Sequence, residues 1–492
     1  MKILFVYPKY PETFWSFKHV LKFISKKAAF PPLGILTISS MLPRKYERKL
    51  IDLNVEELKE KDILWADYIF ISAMIVQRDS VLQISERVKQ FGKKVVVGGP
   101  LFSEANIDDF PYVDHFVLDE GEVTLPMLVN DIESGESVKR FYSSKLKPDI
   151  TSASIPDWKI MNMKKYATML VQFSRGCPFD CDFCDITRLN GRIPRTKSPQ
   201  QLISELDSLY KSGWRGSVFI VDDNFIGNKA RVKEVLRWIY RWNKSKEFPF
   251  SFLTEASLDL ADDHELMSLM AKANFQSVFL GIETPEKDSL QECNKFQNST
   301  RDIEQSVKRI QRNGLQVQGG FILGFDSDPI NIFQKQIEFI QQIGVVTAMV
   351  GLLNAVPGTK LYSRLRNEGR IVDNSKGNNT DATLNYIPKM NKEVLINGYK
   401  DVMKTLYSSK KYYERILTFL EHYRPKMPKS SMSFRDIKAL LISVWLLGII
   451  DGGRKYYWKI VTRTLIKHRK AFPAVMTLLI YGFHFKKMTR AL

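Results

Sequence analysis

The chain has 492 residues, of which 44% are hydrophobic and 26% are charged, so it contains enough apolar material for two or three folded domains. The apolar run at its N-terminus is too short for a signal peptide, and no stretch reaches the roughly 18 apolar residues of a membrane-spanning helix, so we expect a cytoplasmic protein. Four cysteines in a chain of this size exclude the disulfide framework of a small secreted protein.

Positive charge is concentrated at the C-terminal end. The net charge is +19, and residues 421–492 alone contain 15 Lys or Arg and 3 Asp or Glu, a net of +12. Such a basic segment suits an anionic membrane surface, an acidic substrate or simply a solvated surface. Within it, residues 439–450 form an apolar run that predicts a buried or surface-inserted helix. Because no nucleic-acid recognition motif accompanies the charge, we expect no nucleic-acid partner.

The N-terminal part alternates apolar runs with helical patterns. Helices are predicted at residues 33–42 and 80–89, and strands are predicted at residues 3–6, 49–53, 68–72, 94–97 and 115–118. This alternation predicts a doubly wound, Rossmann-like parallel sheet over residues 1–140. Ligands of such sheets bind at the carboxyl ends of the strands.

A second βα series follows a predicted linker at residues 141–165. Its candidate strands are residues 169–173, 217–221, 251–255, 277–281, 316–323 and 348–353. Six βα units over residues 166–372 predict a partial (βα)6 barrel of the TIM type. Polar side chains follow the predicted strands at Asp222, Asp223, Glu255 and Glu283. Residues 373–492 are predicted to form a helical, basic C-terminal domain, so the whole chain belongs to the α/β class.

Three of the four cysteines lie within eight residues. Cys177, Cys181 and Cys184 have the spacing Cys-x3-Cys-x2-Cys, just after the first strand of the second series. Three thiolates can hold three irons of a [4Fe–4S] cluster and leave the fourth iron open, by the logic of a catalytic zinc site. A zinc site would need a fourth protein ligand nearby, and a closed cluster would need Cys293 to be brought in by the fold.

This cysteine motif, with an aromatic residue before the third cysteine, resembles that of the radical S-adenosylmethionine (SAM) superfamily. The resemblance implies that the open iron binds SAM and that one electron, from an external flavodoxin-like or ferredoxin-like donor, splits it. The resulting 5′-deoxyadenosyl radical would abstract a hydrogen from the substrate. By the same resemblance Phe183 would pack near the adenine, and three carboxylates would contact SAM: Asp223, Glu255 and Glu283. Ordinary capping or surface charge is the alternative for these carboxylates.

The N-terminal domain resembles the cobalamin-binding subclass of this superfamily. The resemblance rests on residues 97–100 and 119–124 and implies that these turns surround the corrin ring or its nucleotide tail through Gly98, Gly99, Pro100, Glu120 and Gly121. Glycines allow a backbone to approach such a ligand closely. The first strand is not followed by Asp-x-His-x-x-Gly, so we expect no lower axial histidine. A flavodoxin-like domain that binds something else, or nothing, is the alternative.

Nearly the whole chain resembles cobalamin-dependent radical SAM enzymes with an added helical C-terminal domain, a branch that includes hopanoid methylase-like proteins. Residues 8–11, 31–34 and 481–485 carry this resemblance. It implies a methyltransferase that acts on an unactivated carbon of a small-molecule or lipid, terpenoid-like substrate through the 5′-deoxyadenosyl radical and methylcobalamin. Two alternatives stay open: a non-methylating cobalamin enzyme that catalyses a rearrangement or ring change, and an iron–sulfur and corrinoid carrier or binding module.

Overall fold

The structure, a computed structural model, describes residues 1–135, 137–378, 380–426, 434–490 and 492. The chain divides into two compact units. Unit 1 contains residues 1–12, 27–171 and 200–214, and unit 2 contains residues 13–26, 172–199 and 215–492. The predicted C-terminal domain includes residues 379, 427–433 and 491, which lie outside the described residues. The domain boundaries drawn from the sequence stay a prediction.

Unit 1 contains the N-terminal sheet. Its strands are β1 (Lys2–Tyr7), β2 (Glu47–Asp52), β3 (Tyr68–Ser72), β4 (Lys94–Gly98), β5 (His115–Val117) and β6 (Phe141–Tyr142). They are all parallel and lie in the order β2-β1-β3-β4-β5-β6. The order reverses at β1, as in a doubly wound sheet. The predicted parallel N-terminal sheet is confirmed.

Helices connect these strands. The helices of this part of the chain are α1 (Lys18–Leu21), α2 (Leu33–Met41), α3 (Glu60–Trp65), α4 (Arg78–Lys89) and α5 (Gly121–Ser134). Helix α4 buries Val81, Ile84, Ser85 and Val88, the spacing of a single face turned to the core. Helix α5 ends at Gly135, whose φ of +72° suits glycine.

The second βα series contains six strands at the predicted places. Strand β7 (Met169–Val171) is followed by a two-stranded antiparallel hairpin, β8 (Ser174–Arg175) and β9 (Arg195–Thr196). The remaining strands are β10 (Gly216–Ile220), β11 (Phe250–Ala256), β12 (Phe275–Glu283), β13 (Gln316–Leu323) and β14 (Thr347–Leu352). Strands β10 to β14 pair in parallel in chain order. This order is that of a partial TIM-type barrel, so the predicted fold class is confirmed.

Amphipathic helices separate the strands of the second series. They are α6 (Ile186–Asn190), α7 (Pro199–Lys211), α8 (Lys229–Ser245), α9 (His264–Lys272), α10 (Lys287–Glu292), α11 (Phe296–Ser299), α12 (Ile303–Arg312), α13 (Ile332–Ile343) and α14 (Lys360–Asn367). Side chains cap several of them: Asn228, Asp263 and Asp302 each accept a hydrogen bond from a backbone N–H in the first turn of the helix that follows.

The C-terminal part is helical, as predicted. It consists of α15 (Lys392–Leu406), α16 (Ser409–His422), α17 (Phe434–Ser443), a π-helical segment (Val444–Ile450), α18 (Arg454–Lys467) and α19 (Phe472–Arg490). Within unit 2, residues 14–24 pack on these helices: the ring of Phe14 stacks 4.2 Å from that of Phe485, and Nε2 of His484 lies 3.0 Å from the carbonyl oxygen of Phe14. In the described ranges, no helix is long and apolar enough to cross a membrane.

Candidate functional site

The cysteine loop begins at the end of β8 and is shaped by a glycine. Gly176 has φ +102°, and a Cβ at this position would lie 2.8 Å from the carbonyl oxygen of Gly191. The next residue, Cys177, donates its backbone N–H to that same oxygen at 3.2 Å. A side chain at position 176 would therefore disrupt the hydrogen bond that starts the loop.

Two neighbouring aspartates at the carboxyl end of β10 hold the loop in place. Asp222 is buried and accepts hydrogen bonds from the backbone N–H of Phe173 at 2.7 Å and the hydroxyl of Ser174 at 2.6 Å. Asp223 accepts from the N–H of Gly176 at 2.8 Å and from the side-chain amide of Asn190 at 2.9 Å. Asp223 was predicted to contact SAM, and that role stays a prediction; the structure shows that one of its oxygens anchors the start of the cysteine loop.

Amide donors reach two of the three thiols. The side-chain N–H of Asn224 lies 3.8 Å from Sγ of Cys177, and that of Gln297 lies 3.8 Å from Sγ of Cys181. All three cysteines are half-buried. Burial raises the pKa of each thiol, and that of Cys184 reaches about 12. Bound metal would reverse this effect, because a coordinating thiol is deprotonated.

A [4Fe–4S] cluster and a single metal ion place different demands on the protein ligands. Among the described residues, no three His, Cys, Asp or Glu side chains converge on a point where one ion would sit. A cluster needs no such convergence, because each thiolate binds a different iron. The three half-buried cysteines and their amide donors therefore fit the predicted [4Fe–4S] group.

A buried ion pair lies beside the loop. Lys295 and Glu283 form a salt bridge with side chains only 11% and 7% exposed. Burial acts to lower the pKa of Lys295, but Glu283, Cys181 and Cys293 together outweigh it and hold that pKa above its usual value. The ammonium group lies 5.8 Å from the ring of Phe183. Its positive charge also acts to lower the pKa of Cys181, against the larger effect of burial, so Lys295 offsets negative charge on the thiolates.

The backbone at the C-terminal end of β12 is shaped to accommodate this ion pair. Glu283 has φ +68°, and the register between β12 and β13 shifts between Gly281 and Glu283. A Cβ on Gly281 would lie 2.5 Å from Oε1 of Glu283 and 2.6 Å from Nζ of Lys295. The irregular strand end therefore aims Glu283 at Lys295, and the glycine leaves room for both. Glu283 was predicted to contact SAM; that role stays a prediction.

Another carboxylate, Glu255, lies at the same carboxyl edge of the sheet. It lies near the carboxyl end of β11 and is half-buried. Burial raises the pKa of Glu255 to about 7, and the negative charges of Asp223 and Asp222 act in the same direction. At neutral pH this carboxyl is partly protonated and can donate a hydrogen bond as well as accept one. Its predicted contact with SAM stays a prediction.

The sequence analysis missed two side chains of this site, Lys295 and Gln297. Lys295 is the N-cap of the short helix α11 and Gln297 lies within that helix; the residues between α10 and α11 also contact the loop, through Asn294 and through the carbonyl oxygen of Cys293. No motif marks this stretch. The signal that was available is its position in the chain, shortly after the predicted strand at residues 277–281 and the carboxylate of Glu283 that follows it.

In unit 1, the predicted cobalamin turn after β4 has glycines because the backbone is crowded. A Cβ on Gly98 would lie 2.9 Å from the carbonyl oxygen of Val117. Gly99 has φ +96°, and its Cβ would lie 2.9 Å from the carbonyl oxygen of Ala73. Pro100 follows and is exposed. The fold itself therefore requires both glycines, whatever ligand lies outside them.

The turn after β5 is less constrained. A Cβ on Gly121 would have only ordinary contacts, the nearest 3.5 Å from Ile38. Glu120, which precedes α5, is buried and lies 3.7 Å from the ammonium group of Lys147. Because the fold leaves room for a side chain at position 121, this glycine is the stronger indication of a ligand that approaches the backbone.

The opening segment of the chain is fixed to the same edge of the sheet. The carbonyl oxygen of Pro8 accepts hydrogen bonds from the side-chain amides of Gln77 at 2.6 Å and Asn54 at 3.1 Å. Asn54 in turn accepts from the backbone N–H of Tyr10 at 3.1 Å. These bonds position the segment at the carboxyl ends of β1 to β3.

No histidine of unit 1 lies at this edge. The sequence of unit 1 contains one histidine, His115, which begins β5 and so lies at the opposite, amino end of the strand. Its Nδ1 lies 2.7 Å from the carbonyl oxygen of Lys139. His115 therefore lies away from the predicted cobalamin turns, and the absence of a lower axial histidine stays a prediction.

Three family models match successive regions of the chain. Residues 24–129 match the B12 binding domain, residues 171–340 match the Radical SAM superfamily, and residues 359–492 match a domain of unknown function, DUF4070. OxsB, a cobalamin-dependent SAM radical enzyme solved with aqua-cobalamin bound, has a similar fold at 15% sequence identity, with a TM-score of 0.64 over 100% of this chain and 80% of that one.

Two curated relatives match almost the full length. An uncharacterized methyltransferase of Synechocystis sp. is 41% identical over 99% of this chain and 91% of its own. The hopanoid C-2 methylase of Rhodopseudomonas palustris is 33% identical over 95% of this chain and 90% of its own. The chain therefore belongs to the cobalamin-dependent radical SAM methyltransferase family, whose cofactors are a [4Fe–4S] cluster, SAM and cobalamin.

Proposed function

We propose that this enzyme transfers a methyl group to an unactivated carbon of a small-molecule or lipid, terpenoid-like substrate. The observation that carries the proposal is the set of three half-buried cysteines without the fourth. Cys293 is buried, and its thiol donates to the carbonyl oxygen of Leu290 at 3.5 Å. Three thiolates leave one iron open for SAM, which is the arrangement that radical generation requires.

The cofactors supply the difficult chemistry when bound: the cluster and SAM provide the hydrogen-abstracting radical, and cobalamin provides the methyl group. The protein holds and insulates them. Asp223 fixes the start of the cysteine loop, Lys295 offsets thiolate charge, and the partly protonated carboxyl of Glu255 offers both a donor and an acceptor at the strand edge. The half-buried setting of the cysteines limits the access of bulk solvent to the cluster.

The relatives support a lipid-type substrate without identifying it. The name of the 33% identical relative states that it methylates hopanoids at C-2, and hopanoids are polycyclic terpenoids. We propose a substrate of this general class, an external flavodoxin-like or ferredoxin-like electron donor, and contact of the basic C-terminal region with a membrane surface where such a substrate resides.

A product assay tests the proposal. Anaerobically reconstituted enzyme is incubated with SAM, cobalamin, a strong reductant and candidate terpenoids, and 5′-deoxyadenosine and S-adenosylhomocysteine are measured together by mass spectrometry. We expect both products and a substrate heavier by one methyl group. Cys181→Ala should abolish 5′-deoxyadenosine, whereas the matched variant Cys293→Ala should retain it.

Two outcomes would contradict the proposal. 5′-Deoxyadenosine without S-adenosylhomocysteine would favour the non-methylating alternative, a rearrangement or ring change. Neither product, from protein with an intact cluster and bound cobalamin across the substrate panel, would contradict the proposed reaction.

A further inference from the structure

Helix α17 has two apolar faces, and one of them is covered. Ala439, Ile442 and Leu446 pack against Val20 and Phe23 in a small core of unit 2. On an ordinary surface helix the remaining face would be polar. The uncovered face of α17 and of the π-helical segment instead presents a row of large apolar side chains, so the packing within unit 2 leaves an apolar face open.

This row runs along one side of the helix at four-residue intervals. Ile437, Leu441, Trp445 and Ile449 are 42%, 64%, 58% and 49% exposed. In an α-helix a four-residue step overshoots one turn, so such a row drifts around the axis. The segment Val444–Ile450 is π-helical, with wider turns that a four-residue step undershoots, and this reverses the drift. We refer to these four residues as the apolar stripe.

Helix α18 extends the same surface. Trp458 donates its indole N–H to the carbonyl oxygen of Gly448 at 2.9 Å, and a Cβ on Gly448 would lie 3.1 Å from the ring of Trp458. This contact fixes α18 against the π-helical segment. Trp458, Leu465 and Ile466 remain 42%, 45% and 73% exposed. Large exposed apolar side chains are therefore concentrated on two helices that touch each other.

The apolar side chains are surrounded by positive charge. Residues 434–470 contain nine Lys or Arg and two Asp or Glu. One of the two acidic residues, Asp451, is paired with Lys486 at 2.8 Å. Lys455 and Lys459 flank Trp458 on α18 and are exposed. Tryptophan, aliphatic side chains and lysines side by side are the composition of helices that lie in the interface of an anionic membrane.

We propose that α17, the π-helical segment and α18 dock on an anionic lipid bilayer, with the apolar stripe and Trp458 at the level of the headgroups and the lysines on the lipid phosphates. This inference rests on the proposed function for its purpose, which is to bring the enzyme to a lipid substrate. A second copy of the chain is the less suitable occupant, because two such basic surfaces would repel each other.

Vesicle binding of the full-length holoenzyme tests the proposal without turnover, so its failure is distinct from a failure of the proposed methylation. Vesicles of phosphatidylcholine with phosphatidylglycerol should co-sediment the enzyme, and vesicles of phosphatidylcholine alone should bind it more weakly. Leu441→Ser combined with Trp445→Ser should weaken binding at least about tenfold, because both side chains lose apolar burial. Lys455→Glu combined with Lys459→Glu should weaken it about fivefold or more per residue.

Two controls keep the test specific. Ile330→Ser removes an apolar side chain of unit 2 that is 82% exposed but lies far from this segment in sequence, and it should leave binding unchanged. Because the apolar stripe is exposed, its variants should fold, which far-ultraviolet circular dichroism checks. Lipids brominated in the acyl chain should quench part of the fluorescence of the eight tryptophans, and Trp445→Phe combined with Trp458→Phe should remove most of that quenching.

Three results would overturn the proposal. Failure of the folded holoenzyme to bind anionic vesicles would do so, and so would binding that the stripe variants leave intact. A concentration-dependent dimer that Leu441→Ser disrupts, in protein that binds no vesicles, would assign the face to a second copy.

Discussion

The carboxyl edges of the two parallel sheets differ in the kinds of residues that they carry. At the edge of β10 to β12 in unit 2, charged and titratable groups that are buried or half-buried lie around three cysteines: Asp222, Asp223, Glu255, Glu283 and Lys295. At the edge of β3 to β5 in unit 1, the notable residues are Gly98, Gly99 and Gly121. The sequence of unit 1 contains no cysteine.

The comparison shows that the two kinds of signal carry different information. Amide groups directed at thiols contribute little to the fold, so they indicate a ligand, whereas Lys295 also stabilises the fold through its pair with Glu283. Gly98 and Gly99, in contrast, are required by the crowded backbone of the sheet itself. A glycine marks a ligand only where the fold would have accepted a side chain, as at Gly121.

The largest effect should come from breaking the ion pair of the cysteine edge. Lys295→Met leaves the carboxylate of Glu283 buried without its partner, which we expect to cost about 3–5 kcal/mol of unfolding free energy in the apoprotein. The double variant Lys295→Met/Glu283→Leu should recover most of this loss, because apolar side chains replace both charges. Urea unfolding measures both. A single variant as stable as the parent would contradict the account of this pair.

Glu255 should make the stability of the apoprotein depend on pH. In the unfolded chain its carboxyl ionises near the ordinary pKa of 4.5, whereas burial keeps it protonated to about pH 7 in the folded chain. Folding therefore takes up a proton between these values, and the free energy of unfolding falls as the pH rises from about 4.5 to about 7, by at most about 3 kcal/mol. Glu255→Gln should remove this part of the slope in urea unfolding. If the substitution leaves the pH dependence of the unfolding free energy unchanged, the proton taken up on folding binds to a group other than Glu255.

The glycine edge offers a matched pair of variants. Gly99→Ala forces an alanine to φ +96° against the backbone of Ala73, and we expect it to destabilise unit 1 by about 2–4 kcal/mol. Gly121→Ala should change stability by less than about 0.5 kcal/mol and still weaken cobalamin binding, which the visible absorption of the bound corrinoid reports. Unaltered cobalamin affinity in Gly121→Ala would remove this turn from the binding site.

The smallest effect concerns the cluster. Gln297→Leu removes a donor to Sγ of Cys181, so the reduced, more negatively charged cluster loses stabilisation and its reduction potential should become more negative. Spectroelectrochemistry measures this shift, and the exposed side chain of Gln305, changed to leucine, is the control. Equal potentials in the two variants would show that Gln297 does not influence the cluster.

The sequence predicted the strands well because their apolar runs are long enough to be recognised. Strand β3 was predicted at its observed bounds, and β13 likewise. Strand β6 was missed, because two residues at a sheet edge inside a predicted linker carry no periodicity.

The site residues could be predicted only where they belong to a local sequence motif. The spacing of the three cysteines suffices to identify them, but Lys295 and Gln297 reach the loop through the fold, more than 100 residues later in the chain. Likewise, the sequence placed Asp223 among the SAM contacts, whereas its role as an anchor of Gly176 depends on a hydrogen bond between distant segments.

The central claim is that three cysteines hold a cluster whose fourth iron is open to SAM. The most direct test is the electron paramagnetic resonance spectrum of the anaerobically reduced protein, recorded with and without SAM. We predict that SAM changes the spectrum of the parent and of Cys293→Ala, and that Cys181→Ala shows no such signal. A parent spectrum that SAM leaves unchanged, or a cluster that is lost in Cys293→Ala, would contradict the claim.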